Sequence, residues 1–256
     1  DYPDPVQNIA NHSNILDLFA RKIERCGVVG EMNITKICYL ALTSRVLEKP
    51  VSLAVKGPSS GGKSHVTGQV LRFFPDSAYH ALSAMSDKAL IYSEEDLRHR
   101  FLVLFEAETM KSDMVSYLIR SLLSEGRIRY ETVEVTSDGI SPKLIEREGP
   151  TGLLVTTTAT NLHSENETRF LSLTVQDTPE QTRAILLSIA MGGVTEEDLS
   201  DWVEFQEWIG TAECKVFIPF APEIAEKSSD IAPRMRRDFS LLLNLITTHA
   251  ILHQQN

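Results

Sequence analysis

Cysteine is scarce: Cys26, Cys38 and Cys214 lie far apart in mostly apolar surroundings. They supply neither a disulfide framework nor a Cys-x-x-Cys metal motif, so a reducing, cytoplasmic setting is expected. Long apolar runs are missing too. None reaches the ~20 residues of a membrane span, and no charged-then-apolar leader opens the chain. Positive charge is outnumbered, with a net charge of -10; this argues against a surface coated for nucleic acid but leaves room for a local basic groove. Internal repeats and low-complexity tracts are lacking. The 256 residues are 42% apolar and 23% charged, enough for one large domain or a domain with a smaller companion. The chain opens on Asp1-Tyr2-Pro3 and stops at Asn256 within a helix-like pattern, so a piece of a longer protein is expected.

The most specific feature present is Gly57-Pro58-Ser59-Ser60-Gly61-Gly62-Lys63-Ser64, followed by His65. It comes directly after the apolar run Val51-Ser52-Leu53-Ala54-Val55 and before a helix-forming stretch, the context of a phosphate-binding loop. Glycines leave backbone N–H groups to cradle phosphates, and the helix N-terminus adds its positive dipole end. Lys63 is expected to reach the β- and γ-phosphates of ATP, and the Ser64 hydroxyl to hold Mg²⁺.

Around this loop the chain reads as alternating helices and strands. Ile15, Leu16, Phe19 and Ile23 share one helical face, and Ile34, Ile37, Cys38, Ala41 and Leu42 make another. Helices are expected over 66–74, 87–92 and 114–123, the last stopped by Gly126; strands are expected over 79–82, 101–105, 153–157 and 171–175. Residues 128–145 carry a β-hairpin signal with a turn at Ser137-Asp138-Gly139, and Pro142 places the return strand at an edge. Beyond Asp177 helices are expected at 181–190, 196–208 and 234–253, interrupted by Gly192-Gly193 and the short run Val216-Phe217-Ile218. The domains expected are therefore an α/β nucleotide-binding core at 1–176 and a helical lid at 177–256.

A phosphate loop needs a carboxylate at the end of a neighbouring strand to polarise water and organise Mg²⁺. Glu106, ending the run Phe101-Leu102-Val103-Leu104-Phe105, fits that role, with Glu108 as a helper; the competing reading is a helix cap. Phe105 stands where an Asp is usual, so the metal would rely on Ser64, Glu106, phosphates and waters. At the end of the next strand Thr158 by position, or Asn161 by chemistry, is the candidate γ-phosphate sensor. Arg169 is either an arginine donated across a subunit interface or a surface partner of Glu165 or Glu167. Arg234, Arg236 and Arg237 open the last helix, where cations oppose the dipole and hint at an anion. His249 and His253, four apart, lack a third metal ligand and read as ordinary helix histidines.

In this order the pieces resemble the AAA+ ATPases, and within them the minichromosome-maintenance-like helicases, including primase-associated versions carried by mobile elements. The stretch Gly30-Glu31-Met32-Asn33-Ile34-Thr35-Lys36 resembles the helix before their phosphate loop, the hairpin their DNA-touching pre-sensor hairpin, Arg169-Phe170 their trans-acting Arg-Phe pair, and Arg237 their second sensor. The resemblance implies a three-layer α/β/α P-loop core with a parallel sheet and a helical lid. It also implies a ring-shaped, hexameric homo-oligomer that hydrolyses ATP with Mg²⁺ and acts on single-stranded or forked DNA in replication, beside a primase or polymerase domain and away from membranes. Lys143, nearest the hairpin turn, is the DNA-contact candidate. The alternatives are a nucleotide-dependent switch or loader, an ATP-binding scaffold with little hydrolysis, and a small-molecule kinase.

Overall fold

A computed structural model describes residues 4–106, 110, 112–136, 139–159, 164–192, 196–229 and 232–255, with the backbone alone at 4, 5, 136, 164 and 165. Helices α1 (Asp4–Ala10), α2 (Ile15–Arg25) and α3 (Met32–Thr43) come first. The Asn14 side chain accepts the Asp17 N–H and starts α2, whose buried face is Ile15, Phe19 and Ile23. There follow β1 (Leu53–Lys56), α4 (Lys63–Leu71), β2 (Tyr79–Leu82), α5 (Ala89–Tyr92), β3 (Arg100–Phe105) and α6 (Asp113–Glu125). Strands β4 (Arg127–Thr136) and β5 (Gly139–Glu148) form an antiparallel hairpin of their own. Next come β6 (Thr151–Thr157), α7 (Ser164–Glu167), β7 (Leu171–Thr174), α8 (Pro179–Ala190), α9 (Ser200–Thr211), α10 (Ala221–Lys227) and α11 (Met235–Leu252).

Five strands make one parallel sheet in the order β2-β3-β6-β1-β7. Successive side chains of a strand point to opposite faces, and two apolar cores result. Leu53, Val55, Phe101, Val103 and Leu154 face α2, α3 and α4, while Ala54, Leu102, Leu104, Leu153 and Val155 face α5 and α6. This is the α/β P-loop architecture expected, with helices on both sides of a sheet buried on both faces. Gly126, left-handed at φ 72°, ends α6 as its place after the periodic run implies.

Segment 177–256 is mixed. Trp202, Phe205 and Ile209 of α9 and Ile251 and Leu252 of α11 lie in the same core as Phe19, Tyr39 and Phe73, so these two helices are continuous with the α/β body. By contrast α8 and α10 bury no residue. The Val216-Phe217-Ile218 run forms no strand and precedes α10, a helix the sequence pattern does not announce. His249 and His253 stack at 4.3 Å. His253 Nε2 accepts the Ile15 N–H at 3.1 Å, tying α11 to the start of α2; no cluster of metal-ligating side chains exists among the described residues, nor is any helix long and apolar enough to cross a membrane.

One glycine in the centre of the sheet is set by its neighbour rather than by a turn. Gly152 lies opposite Phe101 in the β3–β6 ladder, and a Cβ there would sit 2.3 Å from the Phe101 ring. Backbone and fully buried ring both resist displacement. Gly152→Ala is expected to destabilise the fold by about 3 kcal/mol, the upper end of overpacking costs, read as a lowered urea midpoint with an unchanged slope.

Candidate nucleotide site

The loop between β1 and α4 has the backbone that phosphate binding requires. Ser60 at φ 63° and Gly62 at φ 79° are left-handed, and Gly62 caps α4, accepting the Val66 N–H at 2.8 Å. Such alternation turns successive N–H groups into one concavity, which the first N–H groups of the helix extend. Gly57 is fixed by space: a Cβ would lie 2.2 Å from Val175 Cγ2. At Gly61 it would lie 3.0 Å from the Pro58 carbonyl oxygen, which accepts the Gly61 N–H at 3.1 Å. Lys63 is buried at the helix start, its Nζ donating to that same Pro58 oxygen at 2.6 Å. Pro58, Ser59, Ser60, Ser64 and His65 are exposed around the concavity.

Strand register brings Glu106 and Thr158 to the same end of the sheet. Lys56 is opposite Thr157 and Phe105 opposite Thr156, so β1, β6 and β3 finish side by side. Glu106 follows β3 and Thr158 follows β6, both exposed. Two inter-strand spacings separate β3 from β1, about 10 Å, which leaves room for a terminal phosphate and a water. Glu106 has φ 108°, a region costly for a residue with a Cβ and concentrated at functional sites. Phe105 turns its ring half-buried into the first core, so position 105 offers a metal no oxygen. Glu108 and Asn161 lie outside the described residues.

Arg169 and Arg237 are together, but at the other end of the sheet. A cavity of about 660 Å³ is lined by Lys49, Ser124, Thr151, Arg169, Arg236 and Arg237, and Thr151 begins β6 while Arg169 precedes β7. Arg169 Nε donates to Ser124 Oγ at 2.9 Å and Arg237 Nη1 to Thr168 Oγ1 at 2.7 Å. Burial, then the nearby Arg237 and Arg120 charges, hold the Arg169 guanidinium below its ordinary pKa. Neither arginine approaches the phosphate loop of its own chain. Part of the charge at the start of α11 is offset locally, since Arg234 pairs with Asp238 at 3.2 Å.

The family model described as the MTBMA_p00010 P-loop domain matches residues 4–198, a span running from α1 through the loop, both strand ends and α8. The chain belongs to the MTBMA_p00010 P-loop domain family. No curated protein matches it. Membership and geometry agree on a P-loop NTPase fold that binds nucleotide.

Nucleotide and Mg²⁺ fit this P-loop domain on its own features: a Gly57 whose place no Cβ could share, a left-handed Gly62, a lysine at the helix start and a serine hydroxyl beside it. Beneath the loop, Thr67 Oγ1 on α4 and Thr156 Oγ1 on β6 are buried without a hydrogen-bond partner among the described residues. Sequence reasoning passed over Lys56, buried at the end of β1 and ion-paired with Glu167 of α7. A lysine closing an apolar strand was the available signal. Lys143 is exposed on the hairpin, its Nζ 3.0 Å from Glu134.

Proposed function

We propose that this P-loop domain is an ATP-hydrolysing motor of the AAA+ type that assembles into a hexameric ring and moves DNA during replication, in the manner of a helicase or translocase. The observation that carries the reading is the division of the site between two ends of the sheet. Loop, Glu106 and Thr158 share one end, and Arg169 and Arg237 occupy the other, an arrangement that suits arginines offered to a second subunit's nucleotide. The loop N–H groups and Lys63 bind the phosphates, Lys63 exchanging the Pro58 oxygen for them. Glu106 accepts a proton from the attacking water, and Thr158 or Asn161 contacts the γ-phosphate. Ser64 and Glu106 would hold Mg²⁺, which supplies charge neutralisation at the phosphate oxygens. Arg169 and Arg237 of the neighbour stabilise the charge of the transferring phosphoryl group.

Phe105 favours a second reading, an ATP-binding switch, loader or scaffold with little hydrolysis, because it withholds a metal-side carboxylate. Glu106→Gln separates the two. A motor loses on the order of 10²- to 10⁴-fold in phosphate release, the range for a general base, with ATP affinity retained; equal release from both proteins establishes the scaffold.

DNA contact rests on Lys143, whose charge Glu134 now compensates. Glu134→Gln should tighten single-stranded DNA binding and steepen its salt dependence, and Lys143→Ala should do the reverse, by about 0.7 in the log–log salt slope per phosphate contact. A fluorescence-anisotropy titration at several salt concentrations reads both.

A further inference from the structure

Helix α8 is mounted inside out. Gln181, Ala184 and Ser188, spaced to share one face, are its half-buried residues, while Ile185, Leu186 and Ile189 stand in solvent, the last two 61% and 65% exposed. The Gln181 amide donates to Glu31 Oε1 at 2.8 Å, so the side toward the body is attached through a polar contact. A surface helix ordinarily turns its apolar stripe inward.

The β4–β5 hairpin offers a matching surface. Ile128, Tyr130 and Ile145 on one face pack onto the second core. The opposite face carries an Arg129–Glu146 ion pair near the base and, toward the tip, Val133, Val135, Ile140, Pro142 and Leu144. Val135 and Ile140, directly paired, are 78% and 74% exposed. Contiguous apolar patches of this kind on a soluble protein mark interaction sites.

We propose that the hairpin tip of one chain docks on the outward face of α8 in a second copy, head to tail. Placement supports this occupant. The hairpin leans on α5, which joins β2 to β3, and on the Glu95 carbonyl, whereas α8 departs from β7, the edge strand on the other side of the sheet. Complementary patches on opposite sides of one body form the heterologous contact that closes rings. The charges agree: Glu131 on the hairpin's apolar face and Arg183 beside the α8 stripe have no ion-pair partner among the described residues. The two patches together would bury on the order of 1,000 Å², the lower limit of a specific interface, which suits an assembly that nucleotide consolidates. Lys143 lies on the other face of the hairpin from this contact.

This docking deepens the ring reading above and rests on it, yet its test is separate. In a Cys214→Ser background, Val135→Cys and Ile189→Cys chains are prepared apart, then mixed with ATP under mild oxidation. A covalent dimer is expected in the mixture and not in either preparation alone. Val135→Asp and Ile189→Asp should each lower the mass of the ATP-bound assembly in light scattering, while binding a fluorescent ATP analogue within about twofold of wild type. Cross-links in a single preparation, or a wild-type mass that neither aspartate changes, would overturn the docking and leave the nucleotide site standing. Loss of analogue binding by wild type itself would instead strike the nucleotide reading.

Discussion

ATP turnover should fall on the order of 10²- to 10³-fold or more when Lys63 becomes alanine, the loss seen on removing one electrostatic contact to a transferring group. Lys63 is the first residue of α4, buried, and its Nζ is already inside the loop at 2.6 Å from the Pro58 carbonyl oxygen. A cation held there meets phosphate by exchanging one oxygen for another, with little side-chain ordering left to do. Truncation removes that charge and leaves the Pro58 oxygen with the Gly61 N–H as its remaining partner, a cost of about 1 kcal/mol. The fold should survive with a slightly lower melting temperature, and circular dichroism distinguishes that from unfolding. Lys63→Arg, which keeps the charge but not the shape, should stay nearly as inactive. Unchanged phosphate release by Lys63→Ala would remove the loop from the chemistry.

The sheet was legible because parallel strands buried on both faces leave continuous apolar runs. Positions 101–105 and 153–157 show them, and the structure adds only residues at the strand starts, Arg100 and Thr151–Gly152. Boundaries moved where local hydrogen bonding outweighed periodicity. Helix α4 begins at Lys63 because the left-handed Gly62 caps it, and its expected end at 74 becomes a turn in which Phe73 and Phe74 are buried. The 177–256 segment shows what periodicity omits. Trp202, Phe205 and Ile209 mark an amphipathic helix, but nothing local says that Trp202 packs on Phe19 and Tyr39, more than 160 residues earlier.

For the site, contiguity decided legibility. Eight consecutive residues specify the backbone of the loop and the place of Lys63 at the start of α4, so this geometry could be read directly. Glu106 and Thr158 followed from strand ends, because register in a parallel sheet places them without further information. Arg169 and Arg237 are 68 positions apart, and the hydrogen bond of Arg237 to Thr168, beside Arg169, is tertiary. The sequence offered reasons to notice each arginine, but not that they share a cavity or that it opens at the far end of the strands. Helix α8 was equally opaque in one respect: its period is visible, its orientation is not.

Arg169→Ala should lower turnover about 10³-fold, in the range for an arginine that stabilises transferring phosphate, and leave ATP binding by the same chain unchanged. The second half follows from position. Arg169 precedes β7 while the loop follows β1, and β1 and β7 run parallel, so a strand's length lies between them. A residue at that distance is out of contact with its own chain's nucleotide, but it can act on a neighbour's. Mixing tests this. Arg169→Ala chains keep an intact loop, and Lys63→Ala chains keep an intact arginine. In randomly mixed rings about a quarter of the interfaces combine the two intact halves, so turnover should recover to about a quarter of wild type from two inactive proteins. Arg237→Ala should complement Lys63→Ala in the same way, since Arg237 lines the same cavity. A mixture as inactive as its components would place the arginines outside the reaction, and the cavity would then be a structural seam beneath the hairpin.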